Sequence, residues 1–385
     1  MKTLHFCFFT LSLSLIALVC CDKKDDDNNI VNATYSTGDL DETWNLAGLC
    51  TGDSPHQTPG WYYSQITFSS DGNFVFNDPV TDSEGSNSFT PTVSSPMEIS
   101  ADGIIGHVDL LNFHGALSSS KDVMIAHFTG AIGNTNSVSG YNLIIFLKKD
   151  DFYTIADLNG TWEGISLVCG DSPEQYAGWS YGQMRISDGI LSFTTPEYNS
   201  EGHISDITWT ATLNINNEGV VTFEEDNSIR AILNKTKNML IFTFTSSEEP
   251  GGDSHGVAGH TLIVSTKTEG QYSQHDLTGS WENIIISSGD SPSQTPGWSH
   301  CNYTIDSEGY LTFNSPVKDN EGCSVTPTQE DPLVISSDGI VTYNTEPADA
   351  YGVINLSKDI VVFKGTGGLS INCVYGYSLQ FSMKR

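Results

Sequence analysis

Asp276-Leu277-Thr278-Gly279-Ser280-Trp281 opens a stretch that runs on through Gly289-Asp290-Ser291-Pro292 to Gly297-Trp298, and the same order of landmarks occurs twice earlier in the chain. The first copy carries Trp44, Gly52-Asp53-Ser54-Pro55 and Gly60-Trp61; the second carries Trp162, Gly170-Asp171-Ser172-Pro173 and Gly178-Trp179. The paired Trp lie 17 residues apart in every copy and account for all but one of the 7 Trp present. A spacing kept three times to the residue is a triplication. A period of about 118 divides the 385 residues into three units, each the size of an ordinary single domain.

Within each unit, short runs rich in Val, Ile, Phe, Tyr and Thr alternate with Gly and Asp, and no window of a dozen residues shows a helical apolar period with capping signals. Ile66-Thr67-Phe68 and Phe74-Val75-Phe76 flank Asp71-Gly72, a hairpin that recurs around Asp188-Gly189 and Glu308-Gly309. A second turn falls at Asp102-Gly103, Glu218-Gly219 and Asp338-Gly339. A third falls at Ser120-Lys121-Asp122, Thr236-Lys237-Asn238 and Ser357-Lys358-Asp359, leading into apolar strands such as Ile360-Val361-Val362-Phe363. The fold class is therefore all-β: three tandem antiparallel meander domains of about eight strands each, with connections too short for helical crossovers. An open meander exposes its edges, so each unit must close into a barrel or stack as a β-sandwich. A six-bladed propeller, two blades per unit, is a third way, but it needs a repeat at half the period that the unevenly spaced Asp-Gly turns do not show.

The units run from 39 to 149, 157 to 267 and 276 to 385. Asp150 to Ala156 and Thr268 to His275 read as brief polar joints, so separate beads on short strings are expected rather than one fused core.

Gly160-Thr161-Trp162 and Gly279-Ser280-Trp281, at the start of the first strand, resemble the Gly-x-Trp signature of the lipocalin-like (calycin) barrels; the first unit has Glu42 where the Gly would stand. The resemblance implies that a basic residue ending the last strand packs over this Trp. Lys148, Lys267 and Lys384 each end the last strand of their unit, and they pair on this reading with Trp44, Trp162 and Trp281. An ammonium over an indole face contributes about 0.5–1 kcal/mol.

Met1-Lys2 followed by an uncharged run from Leu4 to Val19 has the form of a secretory signal, too short for a transmembrane span. Leu18-Val19-Cys20-Cys21 resembles the lipobox of bacterial lipoproteins, which implies a signal peptide over 1–20 and acylation of Cys21, with Cys20 as the other lipid site. Asp22-Lys23-Lys24-Asp25-Asp26-Asp27 lies in an acidic tether over 21–38 and is similar to the export signal of Bacteroidetes surface lipoproteins. The resemblance implies a protein anchored in the outer membrane by its lipid and exposed at the cell surface, or else facing the periplasm. The formal charge of −31 argues against nucleic acid and acidic membrane surfaces as partners.

Past the signal, Cys50, Cys169, Cys301, Cys323 and Cys373 remain, an odd set. Cys50 and Cys169 differ by one step in register and face opposite sides of equivalent strands, while Cys301 and Cys323 could bridge neighbouring strands. No Cys/His spacing for zinc occurs, no His recurs at one place in all three units, and no cofactor or metal is expected. Gly-Asp-Ser-Pro invites comparison with the GDSL-type esterases, with Ser54, Ser172 or Ser291 as nucleophile. Yet those enzymes carry the block on an α/β sheet with an Asp-x-x-His, absent here as a repeat, and Asp-Ser-Pro is also what a tight turn needs. The acidic turns Asp82-Ser83-Glu84-Gly85, Asn199-Ser200-Glu201-Gly202 and Asp319-Asn320-Glu321-Gly322, with Asp53, Asp171 and Asp290, offer fewer alternating carboxylates than Ca²⁺ usually takes.

Trp61, Trp179 and Trp298, with Tyr63, Tyr181 and Tyr303 beside them, are the ligand-binding candidates: exposed, they form a platform for a sugar face; buried, they plug one end of each core. Three copies on one tether add avidity without a triplicated catalytic set. The expectation is a non-enzymatic protein that binds an extracellular glycan or small apolar molecule, with a spacer lipoprotein as the alternative and a hydrolase behind it.

Overall fold

In a computed structural model the described residues are 34–52, 57–85, 90–91, 95–110, 112–131, 138–170, 176–202, 204–205, 210–246, 257–289, 294–328, 331–344, 350–368 and 373–385. Cys20, Cys21 and the tether, and with them the lipid site, lie outside this set, as do Asp53, Asp171, Asp290, Ser54, Ser172 and Ser291.

Almost every element is an antiparallel strand, and the strands form three sheets, one per unit. In each, the first strand (Glu42–Thr51, Gly160–Cys169, Gly279–Ser288) is paired on one side with the second (Gly60–Phe68, Gly178–Ser187, Gly297–Ile305) and on the other with the last (Ser139–Lys148, His260–Lys267, Tyr375–Lys384). A meander whose first and last strands pair is curling into a barrel, which removes the sandwich and the propeller. The middle unit closes fully into eight strands through a ladder between Ile190–Phe193 and Thr210–Ile215. The outer two are half-barrels. Their closing contact shrinks to one backbone bond, Met97 N–H to the Gly72 carbonyl at 3.0 Å and Leu333 N–H to the Gly309 carbonyl at 3.0 Å, where the middle unit has Leu213 to Gly189 at 2.7 Å. Pro96 and Pro332 stand where the middle unit has Thr212. A Pro fixes φ and restricts the residue before it, so the outer strands begin there instead of running on.

Each unit has its own interior core: Leu46, Ile66 and Phe146 with Trp44; Ile186, Leu213 and Phe242 with Trp162; Ile305, Val341 and Val361 with Trp281. A fourth core is common to all three. It gathers Ala47, Leu49 and Ile145 of the first unit, Ile165, Leu167 and Ile241 of the second, and Ile284, Ile286 and Val362 of the third. The units are fused along their outer walls, so the beads-on-strings expectation is wrong. The reason is that the first, penultimate and last strands are apolar on both faces, one for the barrel interior and the other for the neighbouring barrels. Cys50 and Cys169 illustrate this: the former belongs to its own barrel core, the latter to the shared one.

The segments read as joints are also held. Tyr153 and Tyr272 are buried within them, as Tyr35 is ahead of the first unit. Each tyrosine packs flat on the Gly of the second turn, where a Cβ on Gly103, Gly219 or Gly339 would sit within about 3 Å of the ring. A single-turn helix with a capping box follows (Ser36 with Asp39, Thr154 with Asp157, Ser273 with Asp276). Lys121, Lys237 and Lys358 from the third turn then reach across the same tyrosine rings at 5.4, 5.6 and 5.5 Å and pair with Asp39, Asp157 and Asp276.

Candidate ligand-binding sites

The first Trp of each pair lies at the closed end of its barrel, fully buried. Its indole N–H donates to a carbonyl four residues back, Trp44 to Leu40 at 2.7 Å, Trp162 to Leu158 at 2.9 Å and Trp281 to Leu277 at 2.7 Å. Over the rings stand Lys148, Lys267 and Lys384, with Nζ at 5.4, 4.9 and 5.5 Å from the centroid. Each ammonium donates in turn to the carbonyl of Asp39, Asp157 or Asp276. This end admits no ligand.

The second Trp of each pair neither plugs its own barrel nor offers an open platform. Trp61 donates its indole N–H to Thr245 of the second unit at 2.8 Å, Trp179 to Thr366 of the third at 2.7 Å, and Trp298 to Thr129 of the first at 2.8 Å. The three contacts close a ring, first to second to third to first. Trp298 is buried, while Trp61 and Trp179 are half-buried. The threonines recur seven residues after Asp122, Asn238 and Asp359, a spacing that would have singled them out in the sequence.

Two residues past each Trp, the same ring is made by stacking, in three chemistries. Tyr63 lies under the Arg230 guanidinium at 4.7 Å, Tyr181 on Tyr351 at 3.9 Å, and His300 on His114 at 3.9 Å. Tyr303 does not belong with Tyr63 and Tyr181. It pairs across the strands with Trp281, as Ile66 does with Trp44 and Met184 with Trp162, and it is buried in its barrel with its hydroxyl on Ser382. The register places His300 where tyrosine was expected, and a list of aromatics passes over it.

His300 joins His114 and His127 in one stack at the third-to-first interface. His127 Nε2 meets His300 Nδ1 at 2.9 Å, the His127 ring lies 4.0 Å from Trp298, and His114 Nε2 meets the buried Glu282 at 2.7 Å. No two of the three share a repeat position, and the cluster exists only because two units meet. Burial, first of all, and the neighbouring imidazoles hold His127 well below the usual histidine range, and burial brings His300 down to about 3.

At the axis of the ring the third turns meet. Asp122 accepts from Asn234 Nδ2 at 2.8 Å and Thr236 Oγ1 at 2.6 Å, Asn238 donates to Ser357 at 2.9 Å, and Asp359 accepts the Ser120 N–H at 2.8 Å. A buried polar ring of this kind is satisfied only in one register.

The barrel interiors differ. In the first, Tyr62 fills the space, fully buried, its hydroxyl on the Leu143 carbonyl at 3.3 Å and its ring against Gly48. The residue after the second Trp in the other units is Ser180 or Ser299. The second barrel accordingly holds a cavity of about 270 Å³ lined by Phe193, Phe223, Phe242, Phe244 and Ile263, with the Ser166–Ser180 hydroxyl pair at one side. The third holds about 740 Å³, lined among others by Tyr303, Phe313, Phe363, Gln380 and Cys301, and Trp179 of the second unit also borders it. Burial pushes the Cys301 thiol up to about 12, so it is no nucleophile at neutral pH.

The disulfide joins Cys323 to Cys373, with Cα atoms 5.5 Å apart, in place of the expected Cys301–Cys323 pairing; Cys301 faces the barrel core instead. Asp319 beside it accepts the backbone N–H groups of Cys323 at 2.8 Å, Glu321 at 3.0 Å and Val374 at 3.1 Å, which is the work of a turn and not of a calcium loop.

No protein-family model matches the chain, and no curated relative matches it. Among solved structures, a protein with unknown function from the DUF3598 family of Nostoc punctiforme aligns at 13% identity over 60% of this chain and 99% of its own, with a TM-score of 0.18. A double mutant of transferrin-binding protein B from Haemophilus parasuis Hp5 aligns at 9% identity over 89% and 75%, with a TM-score of 0.24. The intact Ap transferrin-binding protein B aligns at 9% over 89% and 77%, with 0.23. Scores this low carry no argument for fold, ligand or partner.

Proposed function

We propose that this chain is a surface-displayed, non-enzymatic binding protein, lipid-anchored through Cys21, which takes a small apolar molecule into its second barrel and a larger, more polar one into its third. One observation carries the reading: Ser180 and Ser299 stand where Tyr62 fills the first barrel, and both barrels with Ser are hollow. Apolar walls with a few polar groups at one side are the usual make-up of a small-molecule site. The sugar-platform form of the expectation loses its support, because the second Trp of each unit is committed to its neighbour.

The test is titration of the full chain with N-phenyl-1-naphthylamine, a neutral apolar fluorophore. Saturable enhancement is expected, reduced when Ser180→Tyr fills the second barrel and left alone by a surface change such as Glu308→Gln. Absence of saturable binding, or binding indifferent to Ser180→Tyr and Ser299→Tyr together, would sink the reading. The anchor is checked separately: Cys21→Ala should release the protein from the membrane fraction, and protease added to intact cells should digest the wild type.

A further inference from the structure

The three interfaces of the ring share one backbone plan, and two of them place a buried carboxylate at the same spot. The residue after the first Trp of each unit points at the next unit: Glu163 accepts a hydrogen bond from Tyr351, and Glu282 meets His114 at 2.7 Å. The corresponding pair at the first-to-second interface is Asn45 and Arg230. There the one guanidinium among the three, a permanent cation, faces the one interface that lacks the carboxylate. Asn45 is turned elsewhere, its amide donating to the Glu218 carbonyl at 2.6 Å and its oxygen accepting from Gln65 at 3.1 Å. Among the described residues no carboxylate lies within ion-pair distance of Arg230; the Glu218 carboxylate is held by Lys149 at 2.5 Å and Gln65 at 3.1 Å. The Tyr63 ring under the guanidinium fixes its plane.

The same interface also has room. Ala47 stands where the other units have Ile165 and Ile284, and Thr243 stands where His127 covers Trp298 and Lys364 covers Trp179. Both exchanges are to smaller side chains, and a cleft of about 770 Å³ opens between the units, with Arg230, Asn45, Gln65, Asn216 and Thr243 on its walls. Exposed Asp78 also borders it, where water screens its charge, and so does Glu218, whose carboxylate is neutralised by Lys149.

We infer that this cleft is a further binding site, for a small hydroxylated carboxylate such as a sugar acid, whose carboxylate takes the place that Glu163 and Glu282 fill at the other interfaces. Arginine offers two parallel N–H donors to a carboxylate, and the amides and hydroxyls around it suit ligand hydroxyls. The site is independent of the hollow barrels.

The experiment is isothermal titration of the full chain with D-glucuronate, and with D-glucose as the neutral match. Binding of glucuronate and none of glucose is expected, with at least about a tenfold loss of affinity in Arg230→Gln and partial retention in Arg230→Lys. Asn45→Asp, which brings a protein carboxylate back toward Arg230, is expected to weaken glucuronate binding. Thermal melts of each variant show that the fold is kept; if Arg230→Gln unfolds, Thr243→Phe, which fills the cleft without touching the cation, replaces it and should also abolish binding. Equal binding of the two sugars, no binding of glucuronate, or affinity unchanged in Arg230→Gln or its replacement would overturn the site.

Discussion

Trp298 of the third unit donates its indole N–H to Thr129 Oγ1 of the first at 2.8 Å, and this bond closes a ring whose other two links are Trp61 to Thr245 and Trp179 to Thr366. A cyclic arrangement around a shared apolar core makes the three units one cooperative body. Trp298→Ala should therefore cost about 3–5 kcal/mol, as for other buried aromatics, and Thr129→Val about 1 kcal/mol. Denaturant unfolding followed by far-ultraviolet dichroism and by Trp fluorescence should show one coincident transition in the wild type; three separate steps would mean that the shared core does not couple the units.

The Lys-over-Trp contact is testable in the closed barrel. Lys267→Met keeps the apolar stem and removes the ammonium from Trp162 and from the Asp157 carbonyl. A loss of about 1–2 kcal/mol is expected from one cation–π contact and one charge-assisted hydrogen bond, read from the urea midpoint. No change would assign the packing to the methylenes alone.

Acid should act first on the histidine stack. Burial holds His127 and His300 neutral in the folded state, with Glu282, Arg385 and, across the strand from His300, Lys318 the charged groups near the stack, whereas in the unfolded chain both bind a proton below about pH 6.5. The unfolded state then holds more protons, and stability falls as pH drops from about 6.5 toward about 3, by at most about 1.4 kcal/mol per pH unit for each histidine. Asp39, Asp157 and Asp276, whose carboxyls are held below their usual value, lose their contribution only at lower pH. Urea midpoints at pH 7 and pH 5 should differ in the wild type and differ less in His300→Phe, which keeps a stacking ring. Midpoints that fall equally in both would move the acid sensitivity elsewhere.

Tyr62→Ser should hollow the first barrel at a cost of about 3–5 kcal/mol, and the variant should gain a binding site for the apolar fluorophore. A stable variant with no new site would mean that the first barrel collapses around the loss.

The Cys323–Cys373 disulfide spans 50 residues of the third unit. Chain-entropy arguments assign a cross-link of this span about 4 kcal/mol, with measured values commonly lower. Cys373→Ser should lower the thermal midpoint, and dithiothreitol should bring the wild type down to it.

Much of the fold could be read from the chain because it repeats. Three copies of Trp44, Gly60-Trp61 and the Asp-Gly turns fix the units and their strands, and the Gly-x-Trp resemblance points to a barrel. The sequence did not disclose fusion, although Ile360-Val361-Val362-Phe363 is apolar at every position, as a strand buried on both faces must be. Trp61, Trp179 and Trp298 could be found but not placed: a Trp that caps a neighbour and one that faces water have the same local pattern. Arg230 escaped because its meaning lies in what is absent across the interface, Asn45 where two other units have Glu. Tyr303 was drawn in by proximity to Trp298, while the pairing of Trp281 with Tyr303 turns it inward.

The ring formed by Trp61, Trp179 and Trp298 has the logic of a homotrimer written into a single polypeptide. In a true homotrimer any substitution at a contact appears at all three contacts together, so a cleft cannot be opened at one without weakening every one. Here the chain can spend Ala47, Thr243 and Asn45 on a single boundary while Glu163 and Glu282 keep the other two shut. Covalent linkage thus separates rigidity from recognition: two seams hold the assembly, and the third is free to specialise.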